Sequence, residues 1–108
     1  MSEQKIVGEA SDAQIKKWKS QTSEVHEIRV KDEEENIHVC YVKKPDLDII
    51  GASAKHAESD PVLSLLIMFN STWLGGSEKI QTDDEMKLSA MKSIKTIFKV
   101  REAEIKKL

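Results

Sequence analysis

Several residue types that could support chemistry are grouped in the sequence MFNSTWLGGSEKIQTDDE, which spans residues 68–85. Asn70 begins an N-glycosylation acceptor pattern, but residues 1–10 are polar and predict no signal peptide, so we interpret the match as accidental. The two glycines lack the spacing of a phosphate-binding loop. Asp83–Glu85 lack the spacing of a calcium loop and fit the start of a helix. We therefore interpret this stretch as a helix end, a loop and a helix start.

The histidines and the single cysteine are the remaining candidates for catalysis or metal binding. His26 and His38 are expected on different faces of a predicted hairpin, and His56 is far from both in sequence. A zinc site needs paired ligands at short spacing, which His38 and Cys40 do not provide. No serine stands in a G-x-S-x-G context. The sequence therefore predicts no catalytic residue, no cofactor and no metal, and we expect the protein not to be an enzyme.

Composition predicts one small globular domain. The chain has 108 residues, of which 33% are charged and 39% hydrophobic, and its net charge is −2. This balance favours a single domain over residues 11–108, preceded by a mobile tail over residues 1–10. It does not favour an anionic membrane surface, and the apolar run Leu65–Phe69 is too short to span a bilayer. A lone cysteine is typical of a reducing compartment, so we expect a cytoplasmic location.

The hydrophobic period changes from two residues to 3.6 residues at Pro45, which predicts an α+β fold. Before this point, alternation over Glu24–Lys31 and Ile37–Lys43 predicts one antiparallel β-hairpin. Aligning the apolar faces of its strands places Ile28 opposite Val39. We expect the hairpin to pack against about four helices. These are predicted near residues 11–20, 46–58, 61–74 and 83–106.

The helix predicted over residues 61–74 is apolar on nearly every side, which is typical of a helix that also contacts a partner. We expect Leu66 and Phe69 to be its deepest residues. A second apolar face, together with an apolar stripe and a basic rim on the last helix, would form a groove for a partner helix. The predicted partner-binding residues are Leu63, Ile67, Leu74, Ile97, Ile105, Leu108, Lys95, Lys99 and Lys107.

The order of the segments adds a resemblance to a known family. IKKWK precedes the hairpin, YVKKPD ends it, and SDPVLSLLIMFNSTWLGG and TDDEMKLSAMKSIKTIFKVREAEIKKL follow. From Ile15 to Leu108 this layout resembles the small tail assembly chaperone-like proteins of bacteriophages and prophages. The resemblance implies a non-enzymatic role in the host cytoplasm, where such proteins cover the long helical tape measure protein while tail-tube subunits assemble. It also implies a short form and a frameshifted long form.

Two other functions remain open on the sequence alone. The same apolar surface could join copies of the chain into a homo-oligomer of unknown role. Alternatively, the basic last helix could belong to a small nucleic-acid-binding regulator, although such a role usually requires a stronger basic excess and stacking aromatic residues.

Overall fold

The computed structural model describes residues 5–97 and 103–108. Within these ranges it is an α+β structure with a mixed four-stranded sheet and five helices, so the predicted fold class is confirmed. The predicted architecture, one hairpin packed against about four helices, lacked two of these strands and one helix. The elements are β1 (Ile6–Val7), α1 (Asp12–Gln21), β2 (Val25–Lys31), β3 (Ile37–Lys43), α2 (Leu47–Ala54), α3 (Pro61–Thr72), β4 (Trp73–Gly76), α4 (Glu78–Thr82) and α5 (Asp84–Ile94).

Strand β3 is the centre of the sheet. It pairs with β2 in antiparallel orientation along its whole length, as the sequence predicts. On its other side, β1 pairs in parallel with the start of β3, and β4 pairs in antiparallel orientation with its later residues. Within the tail predicted over residues 1–10, Ile6 and Val7 extend the sheet, and residues 1–4 lie outside the described residues.

The predicted register was wrong by one residue. Ile28 pairs with Cys40, whereas Val39 lies opposite Arg29. The error has a physical cause: four consecutive residues of β3, from Val39 to Val42, are all buried, so an apolar side chain does not mark one face. His26 and His38 consequently lie on the same face of the sheet, not on different faces.

Each face of β3 contacts its own apolar cluster. On one face, Trp18 of α1 packs on Val39 and Tyr41, and the two aromatic ring centroids are 5.3 Å apart. On the other face, strand residues pack against α3, α4 and α5 to form the larger core. The buried members of that core are Ile28, Cys40, Val42, Phe69, Ile80, Met86, Ala90, Met91 and Ile94.

Helix α3 ends at Thr72, and the chain continues directly into β4. The prediction that residues 75–76 stop a helix was therefore wrong, since both belong to a strand. Gly76 has a φ of +136°, and a Cβ atom placed on it would lie 2.4 Å from the Cα of Cys40. Glycine is required here because β4 approaches β3 more closely than any side chain allows.

The last helix is much shorter than predicted. Helix α5 starts at Asp84, where the Asp83 side chain caps the backbone N–H of Met86, but it ends at Ile94. Thr96 donates both its backbone N–H and its hydroxyl to the Ser93 carbonyl, which replaces the regular helical pattern. Residues 103–108 have no regular secondary structure. Across the described ranges, the helices are all too short or too polar to cross a membrane.

Candidate partner-binding surface

Helices α2 and α3 form a pair whose starts are fixed by aspartate caps. The Asp46 carboxylate accepts the backbone N–H of Ile49 at 2.9 Å, and the Asp60 carboxylate accepts that of Leu63 at 3.1 Å. Pro61 occupies the first turn of α3, where its missing N–H costs nothing. These local signals explain why both helix starts could be predicted from the sequence.

Two serines hold the pair together. The Ser53 hydroxyl donates to the carbonyl of Ser64, and the Ser64 hydroxyl donates to the carbonyl of Ser53, each at 2.8 Å. Their two oxygen atoms are 2.7 Å apart. Because both side chains are small, the helix backbones approach closely at this point. The main packing partner of α2 is α3, whereas α3 also packs on α5 and β3.

The α2–α3 pair presents large apolar side chains to solvent. Leu47 is 81% exposed, Val62 is 55% exposed and Leu63 is 37% exposed. Leu47 is exposed because α2 packs mainly against α3 and Leu47 lies on another side of the helix. Exposed apolar surface on a small domain commonly marks an interaction site.

A groove of about 230 Å³ runs beside this pair. Most of its wall is apolar or formed by small side chains, which suits an apolar anchor residue. Lys95, just beyond the end of α5, is the one charged residue among the described residues that line it. The lining residues are Ile50, Ser53, Ala54, Ala57, Pro61, Ser64, Leu65, Met68 and Lys95.

The segment that forms the pair is acidic. Asp46, Asp48, Glu58 and Asp60 are all exposed, and Lys55 is the only lysine or arginine between residues 46 and 61. The apolar groove therefore lies in a segment with excess negative charge. Such a surface favours the approach of basic segments.

The predicted partner-binding residues do not form one surface. Leu63 is exposed on α3 and Ile67 is half-buried on the same helix. Leu74 belongs to β4 and packs against the Trp18 cluster, on the far face of the sheet. Ile97 is half-buried against the larger core.

The remaining predicted residues are spread along the C-terminal part of the chain. Lys95 is exposed and lines the groove. Ile105, Lys107 and Leu108 are all fully exposed in the irregular segment over residues 103–108. Lys99 lies outside the described residues. The predicted continuous stripe on one long helix was wrong, because α5 ends before it.

Sequence reasoning missed the residues of α2, especially Leu47 and Ile50, and the groove residue Met68. The composition of α2 is a signal that could have found them, since its eight residues LDIIGASA include only one charged residue. The sequence does not specify which side of this apolar helix remains exposed. The exposed side depends on which other elements pack against α2, and its main partner is α3.

A second polar cluster lies at the opposite part of the molecule, beside the turn between β2 and β3. His38 Nε2 is 2.8 Å from Asp32 Oδ2, and His38 Nδ1 is 2.7 Å from Ser77 Oγ. Asp32 also accepts the backbone N–H groups of Glu34 and Asn36, both at 2.9 Å. Hydrogen bonding by His38, followed by these two N–H groups, lowers the pKa of Asp32 to about 2 against the cost of burial. Because an ionised carboxylate can only accept a hydrogen bond, Nε2–H of His38 donates to Asp32.

The order serine, histidine, aspartate is that of an activated nucleophile, but the surroundings differ. Ser77 and His38 are only 4% and 5% exposed. The backbone N–H of Ser77 is donated to the Val39 carbonyl, and Gly8 packs directly against Ser77. The cluster as folded ties four chain segments together and presents no exposed hydroxyl. In the described ranges, no three histidine, cysteine or carboxylate side chains are placed to hold a metal ion.

Comparison of the chain with known protein families, with curated proteins and with solved structures finds no match.

Proposed function

We propose that this protein is a non-enzymatic binding module that holds an amphipathic helix of a longer partner in the α2–α3 groove. The observation that carries the proposal is the combination of that apolar groove with the exposed side chains of Leu47, Val62 and Leu63. A partner helix would insert apolar side chains spaced at i, i+3, i+4 and i+7. Such binding would remove these side chains from water.

The charge of the surface specifies the partner further. Four carboxylates surround the pair, so the favoured helix has basic residues beside its apolar face. Electrostatic attraction of this kind raises the association rate more than the affinity. Lys95 at the groove would oppose a lysine or arginine at that one position and accept a carboxylate there.

The resemblance to tail assembly chaperone-like proteins supplies the candidate partner, the long helical tape measure protein. Many copies of a small module could line one long partner, and a modest affinity for each copy would then be sufficient. The size of the chain and its exposed apolar helix pair support this role, and the resemblance also favours the host cytoplasm as its location.

The alternative is a homo-oligomeric domain of unknown role, in which the α2–α3 surface covers a second copy. The nucleic-acid alternative has less support. It required the lysines after residue 94 to share one helix, but Lys95 follows the end of α5 and Lys106 and Lys107 lie in an irregular segment.

Co-expression with the long helical protein encoded beside this gene tests the proposal. We expect the two proteins to co-purify, and we expect the long protein to be more soluble than when it is expressed alone. Replacing Val62 and Leu63 together with serine should abolish co-purification. Leu88→Ser is the matched control, since Leu88 is 40% exposed but lies on α5.

Two results would contradict the proposal. One is the absence of a complex and of any gain in solubility for the long protein. The other is an equal loss of binding in Leu88→Ser and in the double variant, because binding would then not depend on the α2–α3 surface. Circular dichroism of each variant excludes unfolding as the cause.

A further inference from the structure

The C-terminal segment over residues 103–108 is the most exposed apolar part of the described chain. Ile105 and Leu108 have exposures of 101% and 108%, so their side chains make no apolar contact within the molecule. The segment therefore exposes two large aliphatic side chains to water.

The chemistry of this segment complements the α2–α3 groove. Its sequence AEIKKL has two large aliphatic residues three positions apart, a spacing that places both on one side of a single helical turn. Lys106 and Lys107 lie between them. The apolar groove wall matches the aliphatic side chains. The charged residue among its lining is Lys95, so the lysines would be attracted not by the lining but by the exposed carboxylates of the segment that forms the pair, such as Asp46 and Asp60.

We propose that the segment over residues 103–108 of one copy of this chain binds in the α2–α3 groove of a second copy. In the copy described here the segment is exposed and the groove is open. A second copy can therefore provide a groove for the segment and a segment for the groove. Reciprocal exchange fills both grooves of a dimer and produces a closed two-fold assembly. The attraction is mostly apolar, and the lysines contribute specificity and association rate.

This proposal goes beyond the proposed function, because it assigns the occupant of the groove when no longer partner is bound. It does not require that a helical partner exists. Its tests use the purified chain alone, so failure of self-association and failure of partner binding are separate results.

The first test measures the oligomeric state by sedimentation over a range of protein concentrations. The full chain should form a dimer that dissociates on dilution. Replacing Ile105 and Leu108 together with serine should weaken the dimer at least tenfold, whereas Leu88→Ser should not change it. A full chain that remains a monomer at all concentrations would overturn the proposal, and so would an undiminished dimer of the double variant.

The second test identifies the contact and its direction. Ala57→Cys on the groove wall and Lys107→Cys in the segment are made in separate copies of different mass, mixed and mildly oxidised. We expect a disulfide between the two kinds of copy. Lys92→Cys replaces Ala57→Cys in the control mixture, since Lys92 is exposed on α5. Equal cross-linking in both mixtures would overturn the assignment of the groove.

A third measurement separates exchange between copies from docking within one copy. Ala57→Cys and Lys107→Cys are placed together in one chain and oxidised at high dilution. If the disulfide forms within single chains as fast at high dilution as at high concentration, the segment fills its own groove and the proposal is wrong. Loss of the disulfide on dilution supports exchange. Buried Cys40 does not compete, because burial raises the pKa of its thiol to about 12.

Discussion

The region around β3 and the α2–α3 pair are built from different interactions. Around β3, both faces are buried, and even the polar side chains of His38 and Ser77 have partners inside the protein. In the α2–α3 pair, contact between the helices depends on two small serines, and Leu47 and Val62 remain exposed. The residues from Val39 to Val42 of β3 leave almost no apolar surface exposed. The α2–α3 pair has more apolar surface than its own packing uses.

This difference separates the residues that maintain the fold from those available for binding. A substitution around β3 removes contacts that many elements share, whereas a substitution on the outer side of the α2–α3 pair removes few. The apolar character of α2 is therefore not explained by the stability of the domain. It is the feature on which the proposed binding surface depends.

The largest contrast is expected for Phe69→Ala. Phe69 is fully buried on the side of α3 that faces the core, so its truncation should lower the free energy of unfolding by about 3–5 kcal/mol. Val62→Ala, in the exposed first turn of the same helix, should cost less than about 1 kcal/mol. Urea denaturation measures both. Similar losses in the two variants would remove the distinction between the buried later turns and the exposed first turn of α3.

Two glycines provide the next contrast. Gly76→Ala should destabilise the protein by about 3 kcal/mol, because its φ is positive and the new Cβ would overlap the Cα of Cys40. Gly51→Ala should instead stabilise it by about 1 kcal/mol, since Gly51 is inside a helix and nothing lies within 4 Å of the added atom. Thermal unfolding of both variants measures the two signs. A destabilising Gly51→Ala would show that α2 is covered at that position.

The third contrast depends on pH. The folded-state pKa of Asp32 is about 2, below its ordinary value of 3.8, so its contribution to stability is present above pH 3.8 and is lost as the pH falls towards 2. Asp32→Asn lacks this contribution at every pH. The difference in unfolding free energy between the wild type and Asp32→Asn should therefore shrink as the solution is acidified through this window.

Asp48→Asn is the control for that titration, since Asp48 is exposed in the first turn of α2. The unfolding free energy of Asp48→Asn should stay close to that of the wild type throughout the pH range. The unfolding free energies of the wild type and Asp32→Asn could instead differ by a constant amount down to pH 2. This result would contradict the role of the ionised Asp32 carboxylate in the His38 cluster.

The smallest effect is expected at the serine contact between α2 and α3. Ser53→Ala and Ser64→Ala should each cost about 1 kcal/mol, the usual net value of a hydrogen bond. The double variant should lose less than the sum, because the two hydroxyls share one network. Ser71→Ala, on the exposed side of α3, is the control. An additive double variant would mean that the serines act independently.

The sequence predicted those features that depend on neighbours along the chain. The caps at Ser11 and Asp60 and the start of α5 near Asp83 follow from hydrogen bonds within one turn. The β2–β3 pair follows from alternation around a short polar turn. These signals need no information about the rest of the fold.

Features that depend on distant pairing could not be predicted in this way. Leu74 and Gly76 follow an apolar helix, and the sequence predicts them to be its end. In the structure they belong to β4, which pairs with β3. Ile6 and Val7 are too short an apolar segment to indicate a strand without β3 beside them. The candidate site was only partly predicted for the same reason. Lys95 lines the groove and Leu63 is exposed on α3, but the exposed side of α2 depends on which other elements pack against that helix.

Cys40 can serve as a reporter of local opening in the centre of the protein. It is the single cysteine, it is fully buried, and it lies in β3 with β2 on one side and β4 on the other. Only a thiolate reacts quickly with alkylating reagents, and burial opposes its formation. The labelling rate of this thiol in native buffer therefore reports how often the sheet, or the core that packs on this face of it, opens around Cys40. Motion confined to α2, which contributes no residue to that core, would leave the rate unchanged.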